Sequence, residues 1–182
     1  MNAHPPHRRV AAHAPINSFS KCHVGIVICL KACADLPVLV AAAGRARQVA
    51  ADTLAMFDGS VLDHHKDEEA ELFPAVLRSA APGEEHDRVA AMVERLVAEH
   101  RTIEALWKKV RPSLRSAAAG KPSAMNASEV GQLVRAYVSH AKFEEVHLLP
   151  LAEEILGRDD NHMAALGISL HMRHAPTVVG YI

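Results

Sequence analysis

Aromatic side chains are scarce in this chain, with Phe, Tyr and Trp together at 4 % of 182 residues. Strands draw heavily on aromatic and β-branched residues, so this shortage, beside plentiful Ala, Leu and Val, argues against sheets and for helices. Cysteine is limited to Cys22, Cys29 and Cys33, with no Cys-x-x-Cys spacing. That count gives no disulfide framework; the three are expected to be small apolar packers in a reducing compartment. Charge of one sign is also missing: the net charge is −1, without a basic run or a basic aromatic patch. Nucleic acid is therefore not expected as a partner. Residues 24–43 are apolar, but Lys31, Asp35 and Pro37 interrupt them, so no run reaches the roughly 18 residues of a membrane span. No apolar run before Ser18 resembles a signal-peptide core, and a cytoplasmic location without membrane contact is the expectation.

What the chain has in excess is histidine, with 13 copies. His4, His7 and His13 fall in residues 1–17, a proline-containing stretch expected to be a mobile tail that fixes no ligand geometry. From Ser18 onward, Phe19, His23, Ile26 and Leu30 recur at helical spacing; Pro37 should kink or end this helix, with Gly44 a second break. A second helix is predicted from about Arg45 to Arg78, with the stripe Leu54, Phe57, Val61, His64, Glu68 and Leu72. Pro82-Gly83 separates it from a third, whose stripe is Val89, Val93, Leu96, His100, Ile103, Trp107 and Val110. After a linker at 116–128, with Asn126 or Ser128 as N-cap, the fourth carries Leu133, His140, Glu144, Leu148 and Leu151. The predicted fold is therefore all-α: an antiparallel up-down four-helix bundle over residues 18–157, followed by a short C-terminal helix and tail at 158–182.

Two stretches repeat one another. His64–Pro74 reads HHKDEEAELFP and His140–Pro150 reads HAKFEEVHLLP, each with His, then Glu-Glu four and five residues on, then two large apolar residues and proline. Residues four apart on a helix lie on one face, so each copy aims an imidazole and a carboxylate the same way. One histidine sits within each apolar stripe: His23, His64, His100 and His140, spaced by 41, 36 and 40 residues. Near-equal spacing returns them to one depth of an up-and-down bundle. A carboxylate within such a stripe is costly without a partner, and Glu68 and Glu144 have no Lys or Arg on the same face. A cation supplies the partner, and imidazole plus carboxylate suits iron, manganese or zinc. Six ligands exceed one tetrahedral zinc and match two metals about 3.5–4 Å apart. His65, Glu69 and Glu145 lie about 100° around the helix and are expected on a solvated or ion-paired face. Glu144-x-x-His147 has the spacing of ferritin-like sites, but Glu71 occupies the matching place in the other copy.

At these residues the chain resembles the hemerythrin-like, HHE cation-binding family. The likeness rests on His23 in CHVGI, the His64-His65-x-x-Glu68-Glu69-x-x-Leu-Phe-Pro block, Glu99-His100, and His140-x-x-x-Glu144-Glu145-x-x-Leu-Leu-Pro. It implies a non-haem centre of two iron ions, with His23, His64, His100 and His140 as terminal ligands and Glu68 and Glu144 as bridges. It also implies a small diatomic ligand, O2 or NO, or a role in iron homeostasis. The alternative is an enzyme acting on peroxide or NO, or donating iron for iron–sulfur repair. Oxygen-carrying hemerythrins place two histidines one turn apart on the third helix, where this chain has Leu96 and Glu104 around His100. Their last carboxylate is an Asp five residues after its histidine, whereas here Glu144 follows His140 by four.

Overall fold

The computed structural model describes residues 14–158, which are helical apart from turns and one linker. The expected N-terminal tail lies almost wholly outside the described residues, as does the expected C-terminal helix. The chain divides into two compact units, Met1–Arg45 and Ala46–Ile182.

In the first unit, α1 (Ala14–Ala34) and the start of α2 (Leu36–Ala55) meet at the single residue Asp35. The Asp35 N–H bonds to Ala32 O and the Leu39 N–H to Asp35 O, and the helix axis bends by 41° at this joint, the break expected near Pro37. Pro37 sits in the first turn of α2, where its missing N–H has no helical partner to lose. Gly44 does not break α2, because its cost of about 1 kcal/mol is small against a continuous run of helical bonds. One residue is too short a link for an αα-hairpin, so among the described residues of the unit α1 and α2 do not fold back on one another. Accordingly Ile26 and Leu30, expected to be buried, are exposed, and Cys29 and Cys33 are exposed free thiols rather than packed ones.

In the second unit the helix that begins as α2 runs on to Ser79, interrupted by two π-helical segments. These are π1 (Met56–Val61) and π2 (Glu68–Leu72), with α3 (Leu62–Asp67) between them and α4 (Phe73–Ser79) after. A turn with Gly83 at φ 100° leads to α5 (Glu84–Ala118), whose first turn holds Glu84, Glu85 and Asp87, as the helix dipole favours. Of the two N-cap choices, the Asn126 side chain takes the role, accepting from the Ser128 and Glu129 N–H groups at 2.9 and 3.3 Å. It opens α6 (Ala127–Phe143), which passes through π3 (Glu144–Leu148) into α7 (Leu149–Leu156).

The π segments have a visible cause in two cases. Proline at 74 and at 150 lacks the N–H that an α-helix would use, and its ring crowds the carbonyl four residues back. The preceding residues bond one position further away: Phe73 N–H to Glu68 O and Leu149 N–H to Glu144 O. Each wide turn therefore begins at a glutamate of the repeated block.

Two apolar clusters form the core of this unit. One joins Leu72, Phe73, Val76, Val89, Leu96, Leu148 and Ile155; the other joins Ala50, Phe57, Val61, Ile103, Trp107, Val110 and Leu133. On α5 they meet at Leu96 and Ile103, with His100 between. The layer between them is polar.

Candidate metal centre

Five ionisable side chains fill that layer, all buried: His65, Glu68, His100, His140 and Glu144. His65, His100 and His140 bring one ring nitrogen each within 4.8 Å of one another, as do His64, Glu68 and Glu144 with their nitrogen and oxygens. Four of the six residues expected at the centre, His64, Glu68, His140 and Glu144, come from the repeated blocks. His100 arrives from α5 between them. His23 lies on α1 in the other unit and is exposed.

His65 is a correction. Expected on an outer face, it is 1 % exposed, with its ring 3.9 Å from that of His100 and nearly parallel to it. The reason lies in π1. The buried stripe steps Phe57, Val61, His65 by fours through and beyond the wide turn, then Glu68 by three. A strict 3.6-residue period carries the stripe from Val61 to His64 instead. His64 lies at the edge, its Nε2 2.9 Å from Glu68 Oε1 and its side chain 40 % exposed. Asp58, one turn before Val61 and Leu62, accepts from Trp107 Nε1 at 3.0 Å and from Arg111. Glu104 turns to Arg101, and the exposed His147 packs beside Phe143, so neither joins the layer. Glu145 is exposed, while Glu69 is ion-paired with Arg101 and close to His100.

The electrostatics are those of donors assembled for a cation. Burial, then the nearby His100, pushes the His65 imidazole down to about 3, leaving it neutral. Burial also lowers His140. Burial lifts the Glu144 carboxyl far above the ordinary range, and the facing Glu68 carboxyl lifts it further. At Glu68 burial works upward too, but His100, His64 and Glu144 hold it below the usual value. The buried carboxyls of Glu68 and Glu144 thus resist carrying two negative charges together, a cost that a bound cation would relieve. Six buried atoms here make no well-formed hydrogen bond: His65 Nδ1 and Nε2, His140 Nε2, Glu144 Oε1, and the pair His100 Nε2 and Glu68 Oε2, which face each other at 3.3 Å. Buried polar atoms are almost always paired, so six such atoms from facing side chains fit a metal.

The model of the hemerythrin HHE cation binding domain matches residues 14–152. The chain belongs to that family. No curated protein and no solved structure matches it. Membership in the hemerythrin HHE family indicates a metal-binding protein, and the polar layer of the second unit is where the donors are. Among the described residues no single helix is long and apolar enough to cross a membrane. Only His65 was missed by sequence reasoning. The wide turn that brings it inward, Met56–Val61, holds no proline, so the sequence carries no plain signal for it.

Proposed function

We propose that this hemerythrin-family chain is a non-haem di-iron protein that binds a small diatomic molecule, O2 or NO. The observation that carries the reading is the set of buried donor atoms without a well-formed hydrogen bond on His65, Glu68, His100, His140 and Glu144. Glu68 and Glu144, whose donor atoms lie with that of His64 within 4.8 Å of one another, would hold the cations together with the imidazoles. His65 also changes the comparison with the oxygen carriers. It stacks on His100 and so supplies the imidazole that the third helix lacks. In this reading the protein works in the cytoplasm. The chain's own part is to keep the His65 imidazole neutral and to hold the donors in a buried layer between two apolar clusters. Two irons held there would supply the site at which the diatomic molecule binds.

The test is elemental analysis and an optical spectrum of protein purified without air, before and after exposure to O2 or NO. We expect about two irons per chain and a new charge-transfer band without released product. One zinc and no iron, after expression in iron-replete cells, overturns the proposal.

A further inference from the structure

Two carboxylates outside the donor layer make contacts of the same form. Glu69, on π2, places Oε1 2.8 Å from His100 Nδ1 and gives Oε2 to Arg101. Glu99, on α5, places Oε2 3.3 Å from His140 Nδ1 and accepts from Arg95 Nε at 2.8 Å on Oε1. Each carboxylate spends one oxygen on an imidazole and the other on an arginine. The arginines are themselves held: Arg101 reaches Glu104 at 3.1 Å, and the Arg95 guanidinium lies 3.6 Å over the Phe143 ring. The contacts run from one helix to the next, Glu69 serving α5 and Glu99 on α5 serving α6.

A carboxylate at Nδ1 requires the proton there, because both groups are otherwise acceptors. The lone pair then sits on Nε2. In both histidines Nε2 is the buried atom turned into the donor layer: at His140 it has no hydrogen-bond partner, and at His100 it lies 3.3 Å from Glu68 Oε2, itself one of the proposed metal donors. His65 has no carboxylate of this kind, and both of its nitrogens are unpartnered. From this pattern we infer that Glu69 and Glu99 are positioning residues, which fix the tautomer and ring orientation of His100 and His140 so that Nε2 faces the metal. Carboxylate–histidine–metal relays of this kind keep the ligating nitrogen aimed and raise its basicity. The second glutamate of the first block thus acquires a role that its counterpart Glu145, exposed on π3, does not have.

The inference rests on the metal-binding reading, so its test has one arm that uses no metal. In metal-free protein with 15N-labelled histidine, nitrogen shifts report which ring nitrogen carries the proton. The wild type should show His100 and His140 as Nδ1–H tautomers. Glu69→Ala should move His100 alone to a mixture, and Glu99→Ala should move His140 alone. In the second arm, anaerobic Fe(II) is titrated in competition with a chromophoric chelator. Each alanine variant should bind iron about 10- to 100-fold more weakly, with Glu69→Ala, at the shorter contact, the weaker of the two. Glu69→Gln, whose amide oxygen still accepts from Nδ1–H, should recover most of the loss, and Glu145→Ala should match the wild type. Unchanged tautomers in folded Glu69→Ala and Glu99→Ala proteins overturn the inference whatever the iron result. An iron loss in Glu145→Ala as large as in Glu69→Ala also overturns it. A wild type that shows the tautomers yet binds no iron defeats the functional reading alone.

Discussion

The blocks His64–Pro74 and His140–Pro150 share a pattern, a proline and a wide helical turn beginning at a glutamate, yet they are used unequally. In the second block one face does the work: His140 and Glu144 are buried, while Glu145 and His147 are exposed. In the first, both members of each doublet are engaged. His65 is buried, His64 pairs with Glu68, and Glu69 turns outward to α5. Ala141, opposite His65 in the alignment, leaves the second block without that extra imidazole. The difference comes from what precedes each block. π1 shifts the buried stripe by a residue before His64, whereas α6 runs regularly up to Phe143. Similar motifs thus present different donors when entered at different helical phases.

The largest expected effect comes from removing what the blocks have in common. Glu68→Ala and Glu144→Ala should each lose most of the iron, measured by elemental analysis, since each carboxylate is a buried donor facing the other. Full iron content in either variant would break the symmetry between the blocks. Next comes what they do not share. His65→Ala should weaken Fe(II) binding by at least about 10-fold in chelator competition, a loss no smaller than that of an orienting partner. Near-normal iron in His65→Ala, beside iron-free His64→Ala, would restore the regular helical phase in which only His64 faces the site.

Acidity separates the two blocks in the metal-free protein. His65, lowered to about 3 from 6.5, stays neutral in the fold, while the unfolded chain takes up a proton below 6.5. Its contribution is therefore present above pH 6.5 and lost progressively as pH falls toward 3. Glu144, raised from 4.5, has the opposite sign: its contribution is full below 4.5 and lost as pH rises above that value. Between pH 4.5 and 6.5 the two oppose each other. Urea midpoints at pH 5 and 6.5 should therefore move in opposite directions in two variants. Relative to the wild type, His65→Phe should gain stability on acidification and Glu144→Gln should lose it. Parallel shifts would contradict the assigned states.

Much of this was legible in the sequence because apolar periodicity and buried charge are strong signals. α5, the most regular of the long stripes, buries Val89, Leu96, His100, Ile103, Trp107 and Val110 as its spacing predicts. Glu68 and Glu144 stood out as acids within apolar faces, and both are buried. The phase of α3 was not legible, since a 3.6-residue rule carries no information about an inserted residue upstream. Pro74 and Pro150 marked two wide turns, but nothing as plain marks π1, whose sequence Met-Phe-Asp-Gly-Ser-Val holds only Gly59 as a weak helix former. The exposure of Ile26 and Leu30 was also hidden, because periodicity shows which face is apolar and not what covers it.

The smallest effect is expected at Asp58, which the block alignment sets against Val134. Asp58 accepts from Trp107 Nε1 and pairs with Arg111, whose guanidinium, with the neighbouring indole N–H, holds its carboxyl below the usual value. The ion pair is a third exposed on both sides and contributes little in water. The indole counts for more: Trp107 is buried, stacked 4.3 Å from Phe57 within π1, and its N–H would be left unpaired. An unsatisfied buried donor costs about 1–3 kcal/mol. Asp58→Ala should therefore destabilise the protein by about 1–2 kcal/mol in urea unfolding, at the low end because water can reach this edge, while the iron content stays at the wild-type level. If iron falls with stability, Asp58 is holding the wide turn that brings His65 inward. The difference between the blocks would then depend on a clasp that the second block, with an exposed valine in that place, does not have.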